Sequence, residues 1–332
     1  MLNETDILPD GLLEADATDL LELLGSPTLI HLQGERPEPL FISTLLHGNE
    51  TTGFYAIQQL LRDNQNKALP RSVSIFIGNV EAAAAGQRRL EHQPDYNRIW
   101  PGTHHDDCAE TDMMRTVSNI MYKRNPFASI DIHNNTGLNP HYACVNILNS
   151  HCIQLAGMFG STVVYFTSPR GVQSAAFSDF CPAVVLECGQ SGHADGVSHS
   201  TRYLQAVLNT EKLPSEHPVH IRLFHTVARV TVPEIYSLGS YDGADIRLNQ
   251  ELENMNFDQL GTGSVFATVK ADSDARLVVT NESNENVTDE FFEVEDSKIV
   301  LRKNATLSMF TTNEKAIRQD CLCYLMEQIH IG

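Results

Sequence analysis

The sequence predicts an α/β fold, with a mixed, mostly parallel sheet flanked by helices and a smaller C-terminal β-rich domain. Over the first two thirds of the chain, short apolar and β-branched runs alternate with segments whose apolar residues recur at helical spacing. This alternation is typical of βαβ units. Beyond about residue 213 the helix signals become rare and β-like runs dominate. We therefore expect an α/β domain over 1–213 and a β-rich domain over 214–332.

The individual elements of the first region follow from apolar runs and helical periodicity. Strands are predicted over 28–32, 40–46, 73–79, 129–133, 143–148, 162–167 and 183–188. Helices are predicted over 51–62, 106–124, 150–160 and 198–209. In the second of these helices, Met113, Val117, Ile120 and Met121 fall on one face, as expected for a helix packed on a sheet.

The second region begins after a polar, proline-bearing stretch at 213–218, which predicts a linker. Strand-like runs then cover 219–232, 264–271, 276–280 and 291–294. The acidic, Asn/Ser-rich segment 272–290 predicts hairpins and loops. Near the end, Ile317, Cys321, Leu325 and Ile329 recur every fourth residue, and we expect a C-terminal helix there.

Composition restricts the partners of the chain. The 332 residues carry a net charge of −19, which argues against nucleic acid and against an anionic membrane surface. No apolar stretch approaches the ~20 residues that cross a bilayer, and the acidic N-terminus does not resemble a signal peptide. Seven cysteines without framework spacing indicate reduced thiols, so we expect a cytoplasmic protein. The oligomeric state, including a homo-oligomer, stays open.

The first candidate site residues lie where an apolar run ends. The run 40–46 is followed by H-G-N-E, which contains His47 and Glu50, and then by a helix-like segment. Ligands gather where the buried strands of an α/β sheet end. Imidazole and carboxylate are ligand types of a catalytic zinc, which keeps three protein ligands and one open position. Alone, this pair would be interpreted as two residues of a surface loop.

A second strand end supplies the third candidate ligand. His133 ends the apolar run 129–133, so it repeats the context of His47 and would reach the same sheet edge if the two strands are parallel. A single histidine here would usually be a core residue, and the repeated context favours metal binding. Asp131, two residues earlier, faces the same way and is either a partner of that histidine or a buried polar residue.

Glu187 ends a third apolar run, 183–188. Glutamate is rarely placed among buried residues unless it is paired or functional. Beside a water activated by a metal it could act as a general base, with its pKa adjusted by burial and by the cation. A structural carboxylate that caps a neighbouring helix is the alternative.

Arginines concentrate in one short segment of this acidic chain. Arg88 and Arg98 lie within it, with Asn97 directly before the second. The guanidinium fork suits a carboxylate or an oxyanion. The neighbouring Arg89 is interpreted as a surface residue paired with a nearby acid. Arg170, in a Pro-Arg-Gly turn, is either an exposed loop residue or a later substrate contact.

Together these residues make the chain resemble the succinylglutamate desuccinylase/aspartoacylase family, itself similar to the zinc carboxypeptidases. Five motifs of that family occur in its order between about residues 40 and 192: H-G-N-E at 47–50; Asn79, Ala82, Gly86 and Arg88; Asp95-Tyr-Asn97-Arg98-Ile-Trp100; Asp131-Ile-His133; and Glu187-Cys-Gly189. Val80 stands where the family has proline, and Trp100 where it has phenylalanine. The segment between Arg88 and Asp95 is longer than the family's usual spacing.

The resemblance implies a zinc-carboxypeptidase-like fold and a zinc-dependent deacylase that cleaves the amide bond of an N-acyl amino acid or a related small anionic amide. One Zn²⁺ per chain would be held by His47, Glu50 and His133, with Glu187 as the general base. The implied roles of the remaining residues are oxyanion stabilisation by Arg88 and substrate binding by Asn97, Arg98 and Arg170. The C-terminal domain would cover the catalytic cleft and narrow substrate choice.

Two other functions remain open. A metallocarboxypeptidase acting on peptides would use the same ligands and arginines. A catalytically silent metal- or ligand-binding protein on the same scaffold would be expected to lack the base, and Glu187 is present. A serine hydrolase is disfavoured because the chain has no G-x-S-x-G elbow.

Overall fold

The computed structural model describes residues 1–216, 220–239, 241, 243–271 and 273–330. Two units can be distinguished in the chain. The first comprises Met1–Asn134 and His141–Arg222, and the second comprises Asn135–Pro140 and Leu223–Gly332. The short segment 135–140 thus belongs to the second unit although it lies within the sequence of the first.

The first unit is built on a mixed, mostly parallel sheet with the order β1-β2-β4-β3-β5-β8-β6-β7. Its strands are β1 (Asn3–Thr5), β2 (Thr28–Leu32), β3 (Gly34–Thr44), β4 (Leu69–Ile77), β5 (Ala128–Asn135), β6 (Tyr142–Val145), β7 (Thr162–Tyr165) and β8 (Ala183–Gln190). Strand β3 runs parallel to both β4 and β5, whereas β6 runs antiparallel to β8. The carboxyl ends of β3 and β5 therefore lie side by side.

Helices flank this sheet. They are α1 (Leu20–Leu24), α2 (Thr52–Asp63), α3 (Val80–Ala84), α4 (Ala109–Arg124), α5 (Ser150–Phe159), α6 (Gln173–Ser178) and α7 (Ala194–Asn209). Each buries an apolar stripe, as a helix against a sheet must. Trp100 is fully buried in a cluster under α4 and α6, where its ring meets Phe76 and Phe177 edge-on. This anchor fixes the loop that carries Asn97 and Arg98.

The second unit contains two sheets. One has the order β9-β17-β16-β11, with β13 paired to β9, and the other is the antiparallel sheet β10-β12-β15-β14. The strands are β9 (Arg222–Thr231), β10 (Ile246–Leu248), β11 (Gln259–Leu260), β12 (Val265–Val269), β13 (Val278–Asn281), β14 (Phe292–Glu295), β15 (Lys298–Leu301), β16 (Ala305–Ser308) and β17 (Cys323–Ile329). Two short helices, α8 (Thr288–Phe291) and α9 (Glu314–Gln319), accompany them. Phe266 is central to their common core.

The predicted fold class is confirmed, and each predicted strand of the first region exists: the strand over 28–32 has the predicted ends, and the others have shifted ends. Strand β4 stops at Ile77 because Asn79 caps α3: its side chain accepts a hydrogen bond from the Ala82 amide. Helix α4 starts at Ala109 rather than at 106, since Cys108 before it is extended. Four predicted segments include residues that lie outside those that the structure describes: 213–218, 219–232, 272–290 and 214–332.

The predicted C-terminal helix is wrong beyond α9. Residues Cys323–Ile329 form strand β17, which pairs with β9 on one side and β16 on the other. A spacing of four residues places side chains on one face of a helix, but four is also a multiple of the strand period of two. The pattern of Cys321, Leu325 and Ile329 therefore did not discriminate between the two structures.

Among the described residues, no helix is long and apolar enough to cross a membrane.

Candidate metal centre

His47 and Glu50 lie in the tight turn between β3 and α2. The turn closes on itself, because the amide of Glu50 donates to the carbonyl of His47 at 3.1 Å. Gly48 makes the turn possible: a Cβ there would lie 2.2 Å from the backbone of Ala82 and Ala83 in α3. The turn is thus pressed against α3, and both ligand candidates are buried, with 3% and 7% of their surfaces exposed.

His133 reaches the same point from β5. The register pairs Ser43 of β3 with Asp131 of β5, so His133 lies just beyond the end of β3, beside the turn of His47. Two neighbouring features hold this end of β5 close to α2. A Cβ on Gly53 would come within 2.9 Å of Ile132, and the amide of Thr52 donates to the Asn134 side chain at 3.3 Å.

The three side chains converge on one point. Nδ1 of His47 lies 2.9 Å from Oε1 of Glu50, and Nδ1 of His133 lies 2.7 Å from Oε2 of the same carboxylate. One ligand atom from each residue lies within 4.8 Å of the others. Two imidazole nitrogens and a carboxylate oxygen suit a transition-metal ion such as zinc, so the cluster could hold a metal ion.

A carboxylate holds the far nitrogen of each imidazole. Nε2 of His47 lies 2.9 Å from Asp95, and Nε2 of His133 lies 2.8 Å from Asp131. Ser43 donates to the other oxygen of Asp131 at 2.7 Å. Such partners fix the ring orientation and raise the basicity of a metal-binding histidine. The ligand-type residues are therefore preoriented toward Glu50.

The electrostatics of the cluster attract positive charge. Burial by itself would raise the pKa of Glu50, but the imidazoles of His47 and His133 hold it well below its usual value. Burial opposes a charge on His133, yet Asp131 and Glu50 raise its pKa well above that of a free imidazole. These negative groups stabilise a cation at this point, either a proton on an imidazole or a metal ion.

Glu187 lies on β8, next to β5 in the sheet, and 7% of its surface is exposed. Burial raises its pKa to about 7; the carboxylates of Glu50 and Asp131 add to this, while His133 and His47 oppose it. A carboxyl group with a pKa near neutrality can accept and then release a proton near physiological pH. The side chain is thus suited to general base chemistry.

Arg88 lies between the carboxylates of Asp95 and Glu50. Its Nε and Nη2 donate to one oxygen of Asp95 at 3.2 and 3.0 Å, and its Nη1 lies 3.5 Å from Oε1 of Glu50. The loop is tied to the ligand turn, since the Gly48 amide donates to the Arg88 carbonyl at 3.1 Å. A cationic donor is thereby held beside the candidate metal ligands.

Asn97 and Arg98 follow in the same loop. The Asn97 side chain is buried: its Nδ2 lies 3.1 Å from Nε2 of His133, and its oxygen accepts the Gln173 amide at 3.0 Å. The Arg98 guanidinium donates to the Asn97 carbonyl at 2.9 Å and contributes to the low pKa of Asp95. The substrate-binding role expected for this pair stays a prediction.

Arg170 is exposed. Its neighbour Gly171 contacts the loop that carries Arg98. The Trp100 amide donates to the Gly171 carbonyl at 2.9 Å, and a Cβ on Gly171 would lie 2.3 Å from the Arg98 carbonyl oxygen. The turn of Arg170 is therefore fixed next to Arg98 through the backbone.

Two residues gain roles that the sequence did not suggest. Asp95 is a motif residue whose contact with His47 only the fold shows. Asn134 is part of β5, where its side-chain amide donates to the Thr52 hydroxyl at 2.8 Å and to the Gly189 carbonyl at 2.8 Å. Asn134 thus joins the start of α2, β5 and the end of β8.

Comparison with known proteins agrees with this geometry. Residues 38–212 match the model of the succinylglutamate desuccinylase/aspartoacylase catalytic domain. A comparison with curated protein sequences gives no match.

Solved structures share the fold of the whole chain. A crystal structure of succinylglutamate desuccinylase from Chromobacterium violaceum has a TM-score of 0.60 at 16% identity, with 92% of this chain and 89% of that chain covered. The Vibrio parahaemolyticus enzyme of the same name has a TM-score of 0.63 at 12% identity, with 97% and 96% covered. Murine aminoacylase 3 has a TM-score of 0.61 at 16% identity, with 90% and 97% covered.

The region that matches the family exceeds half of the chain and contains every residue of the centre described above. The chain therefore belongs to the succinylglutamate desuccinylase/aspartoacylase family of hydrolases.

Proposed function

We propose that the protein is a zinc-dependent deacylase that hydrolyses the amide bond of an N-acyl amino acid or a similar small anionic amide. The observation that carries the proposal is the convergence of one ligand atom each from His47, Glu50 and His133 within 4.8 Å of one another, beside the buried Glu187, whose pKa is raised to about 7. Membership of a family of hydrolases supports it.

In this proposal, His47, Glu50 and His133 hold one zinc ion. Bound there, zinc would lower the pKa of a water molecule toward ~7 and polarise the scissile carbonyl. Asp95 and Asp131 keep the two imidazoles oriented. The donor set, two nitrogens and one carboxylate with carboxylates behind both rings, fits this ion.

The remaining steps use groups of the chain itself. Glu187 takes a proton from the attacking water and passes it to the departing amine, which becomes a neutral leaving group. Arg88 stabilises the oxyanion that forms on the substrate carbonyl, because its guanidinium is held beside the metal ligands, with Nη1 3.5 Å from Oε1 of Glu50. Arg98 binds the substrate carboxylate with Asn97 beside it, and Arg170 is a further candidate for that contact. The products are a carboxylic acid and an amino acid or amine.

The free thiols of all seven cysteines support a reducing compartment, and we place the protein in the cytoplasm. The expected role of the second unit in restricting substrates stays a prediction.

A direct test compares the wild type with Glu187→Gln. We expect the variant to retain stoichiometric zinc, because the three ligands are intact, and to lose at least about a hundredfold in kcat. Metal analysis and turnover of a panel of N-acyl amino acids, with and without chelator, measure both. A set of short peptides in the same panel separates the deacylase from a carboxypeptidase. Wild-type turnover in the variant, or chelator-resistant hydrolysis, would contradict the mechanism.

A further inference from the structure

Two of the groups that flank the candidate metal ligands, Arg88 and Asp95, come from one loop between α3 and α4. Asp95 holds His47, and Arg88 binds Asp95 and points toward Glu50. The segment that joins Arg88 to Asp95 contains no helix or strand. An irregular loop has many conformations in the unfolded chain, and fixing one of them costs conformational entropy. Some other group must therefore hold the loop in its observed shape.

Gln93 lies inside this loop and is 4% exposed. Its Oε1 accepts two hydrogen bonds, from the Asn79 side chain at 2.9 Å and from the Leu90 amide at 3.1 Å. Its Nε2 donates to Glu81 at 2.6 Å. Asn79 caps α3 and Glu81 belongs to α3, so the Gln93 side chain fastens the loop to that helix.

The backbone of Gln93 closes the loop on the other side. Its amide donates to the Leu90 carbonyl at 3.1 Å, and its carbonyl accepts from Arg89 at 2.9 Å. The residue thus connects the two ends of the segment from Arg88 to Asp95. Arg89, interpreted from the sequence as a surface residue, also takes part in this closure.

Helix α3 is the element against which the ligand turn packs, through the close approach of Gly48 to Ala82 and Ala83. A loop fastened to α3 is therefore fastened to the frame that also positions His47. We propose that Gln93 is a positioning residue that sets Arg88 and Asp95 relative to the metal ligands. The proposal rests on the proposed function, because Arg88 matters for rate only if the site catalyses acyl transfer to water.

Exchanging the amide and the carboxylate between Gln93 and Glu81 tests the proposal. In Gln93→Glu the carboxylate still accepts from Asn79 and from Leu90 but faces the carboxylate of Glu81, so the loop should shift. We expect kcat to fall about tenfold to a hundredfold, the loss typical of a misplaced catalytic group, with zinc content unchanged and KM within about threefold. Adding Glu81→Gln restores a donor opposite the new carboxylate, and the double variant should regain most of the lost kcat.

Two controls accompany the swap. Gln65→Glu makes the same chemical change at an exposed position and should leave kcat unchanged. Gln93→Met, which removes the polar contacts without adding charge, covers the case in which Gln93→Glu fails to fold. In an Arg88→Ala background the Gln93 substitutions should cost little more, because the residue acts through Arg88. Unchanged kcat in a folded Gln93 variant, no rescue by the swap, or full additivity with Arg88→Ala would overturn the proposal.

Hydrogen exchange separates this proposal from the proposed function. Loss of the Gln93 contacts should speed amide exchange over residues 88–95 and leave that of β5 unchanged. If the wild type hydrolyses no N-acyl amino acid, the proposed function fails, and unchanged exchange over 88–95 would then overturn the positioning role as well.

Discussion

At the residue scale, burial and neighbouring charges together set the pKa values of the glutamates of the centre. Glu187 is buried beside two other carboxylates, and its pKa is raised to about 7, whereas Glu50, equally buried but flanked by two imidazoles, has a pKa well below its usual value. Two glutamates on one sheet edge are thus set for different roles. One stays ionised and can bind a cation, and the other can exchange a proton near neutral pH.

A pH dependence follows from this difference. A general base must be deprotonated to act, and the pKa of Glu187 is raised, so its active form is lost as the pH falls below about 7. We expect kcat/KM to fall about tenfold per pH unit on the acidic side, with a midpoint at or below about 7, since a nearby cation favours the carboxylate. A stopped assay over the pH range measures it. The residual activity of Glu187→Gln should lack this limb, and an identical limb there would assign it to another group.

Arg98 gives a second residue-scale prediction. Removing its guanidinium in Arg98→Ala should raise KM about tenfold to a hundredfold for substrates with a free carboxylate, the loss expected for one charged hydrogen bond. The KM of the matching uncharged amides should change little. Steady-state kinetics on an acid and its amide measures the contrast, with Arg115→Ala as an exposed-arginine control. Equal losses on both substrates would exclude a carboxylate-binding role.

At the element scale, the centre depends on where strands end and on what holds those ends together. The parallel pair β3 and β5 brings two ligand positions to one edge, and Asn134 links the start of α2 to β8. The ligand turn itself is fixed by its close packing on α3.

Gly48→Ala tests that packing. The added Cβ would lie 2.2 Å from the backbone of α3, so the turn or the helix must move. We expect a loss of about 1–3 kcal/mol in the free energy of unfolding, as for overpacked sites, together with weakened metal binding. Gly25→Ala is the comparison, because its φ of 71° strains a side chain but nothing lies within 4 Å; it should cost about 1 kcal/mol and leave metal binding unchanged. Urea unfolding and metal titration report both, and similar metal affinity in the two variants would contradict the role of the packed turn.

At the scale of the whole molecule, the net charge affects substrate binding, and metal binding affects the stability of the fold. A net charge of −19 repels an anionic substrate at long range, so binding must depend on arginines at the centre. A metal bound only by the folded state also stabilises it, by about 2.7 kcal/mol when the free metal is a hundredfold above its Kd.

Removal of the metal should therefore lower the thermal unfolding temperature. We expect a chelator to decrease Tm by several degrees, about the shift that a few kcal/mol produces in a domain of this size, and added zinc to restore it. Scanning calorimetry with and without chelator measures the change. His133→Ala is the control and should show a much smaller response, because a ligand is missing. A chelator-insensitive wild type would count against a metal held at this centre.

Part of the centre followed from the sequence because its information is local. An apolar run that ends in histidine or glutamate predicts a strand with that side chain at its end, and this pattern predicts the positions of His47, His133 and Glu187, with Glu50 in the turn after His47. The same local reasoning failed for the C-terminal segment, where a four-residue spacing fitted both helix and strand. Pairing with β9 and β16 decided between them.

The sequence alone thus determined the fold class, the family and the residue types of the centre, since strand patterns and short motifs are written in neighbouring residues. Only the tertiary structure decided which carboxylate holds which imidazole, that Asn134 joins three segments, and that Gln93 fastens the arginine loop to α3. These contacts join residues far apart in the chain or hidden in irregular loops. Their formation depends on how the strands and helices pack, which no periodicity in the sequence records.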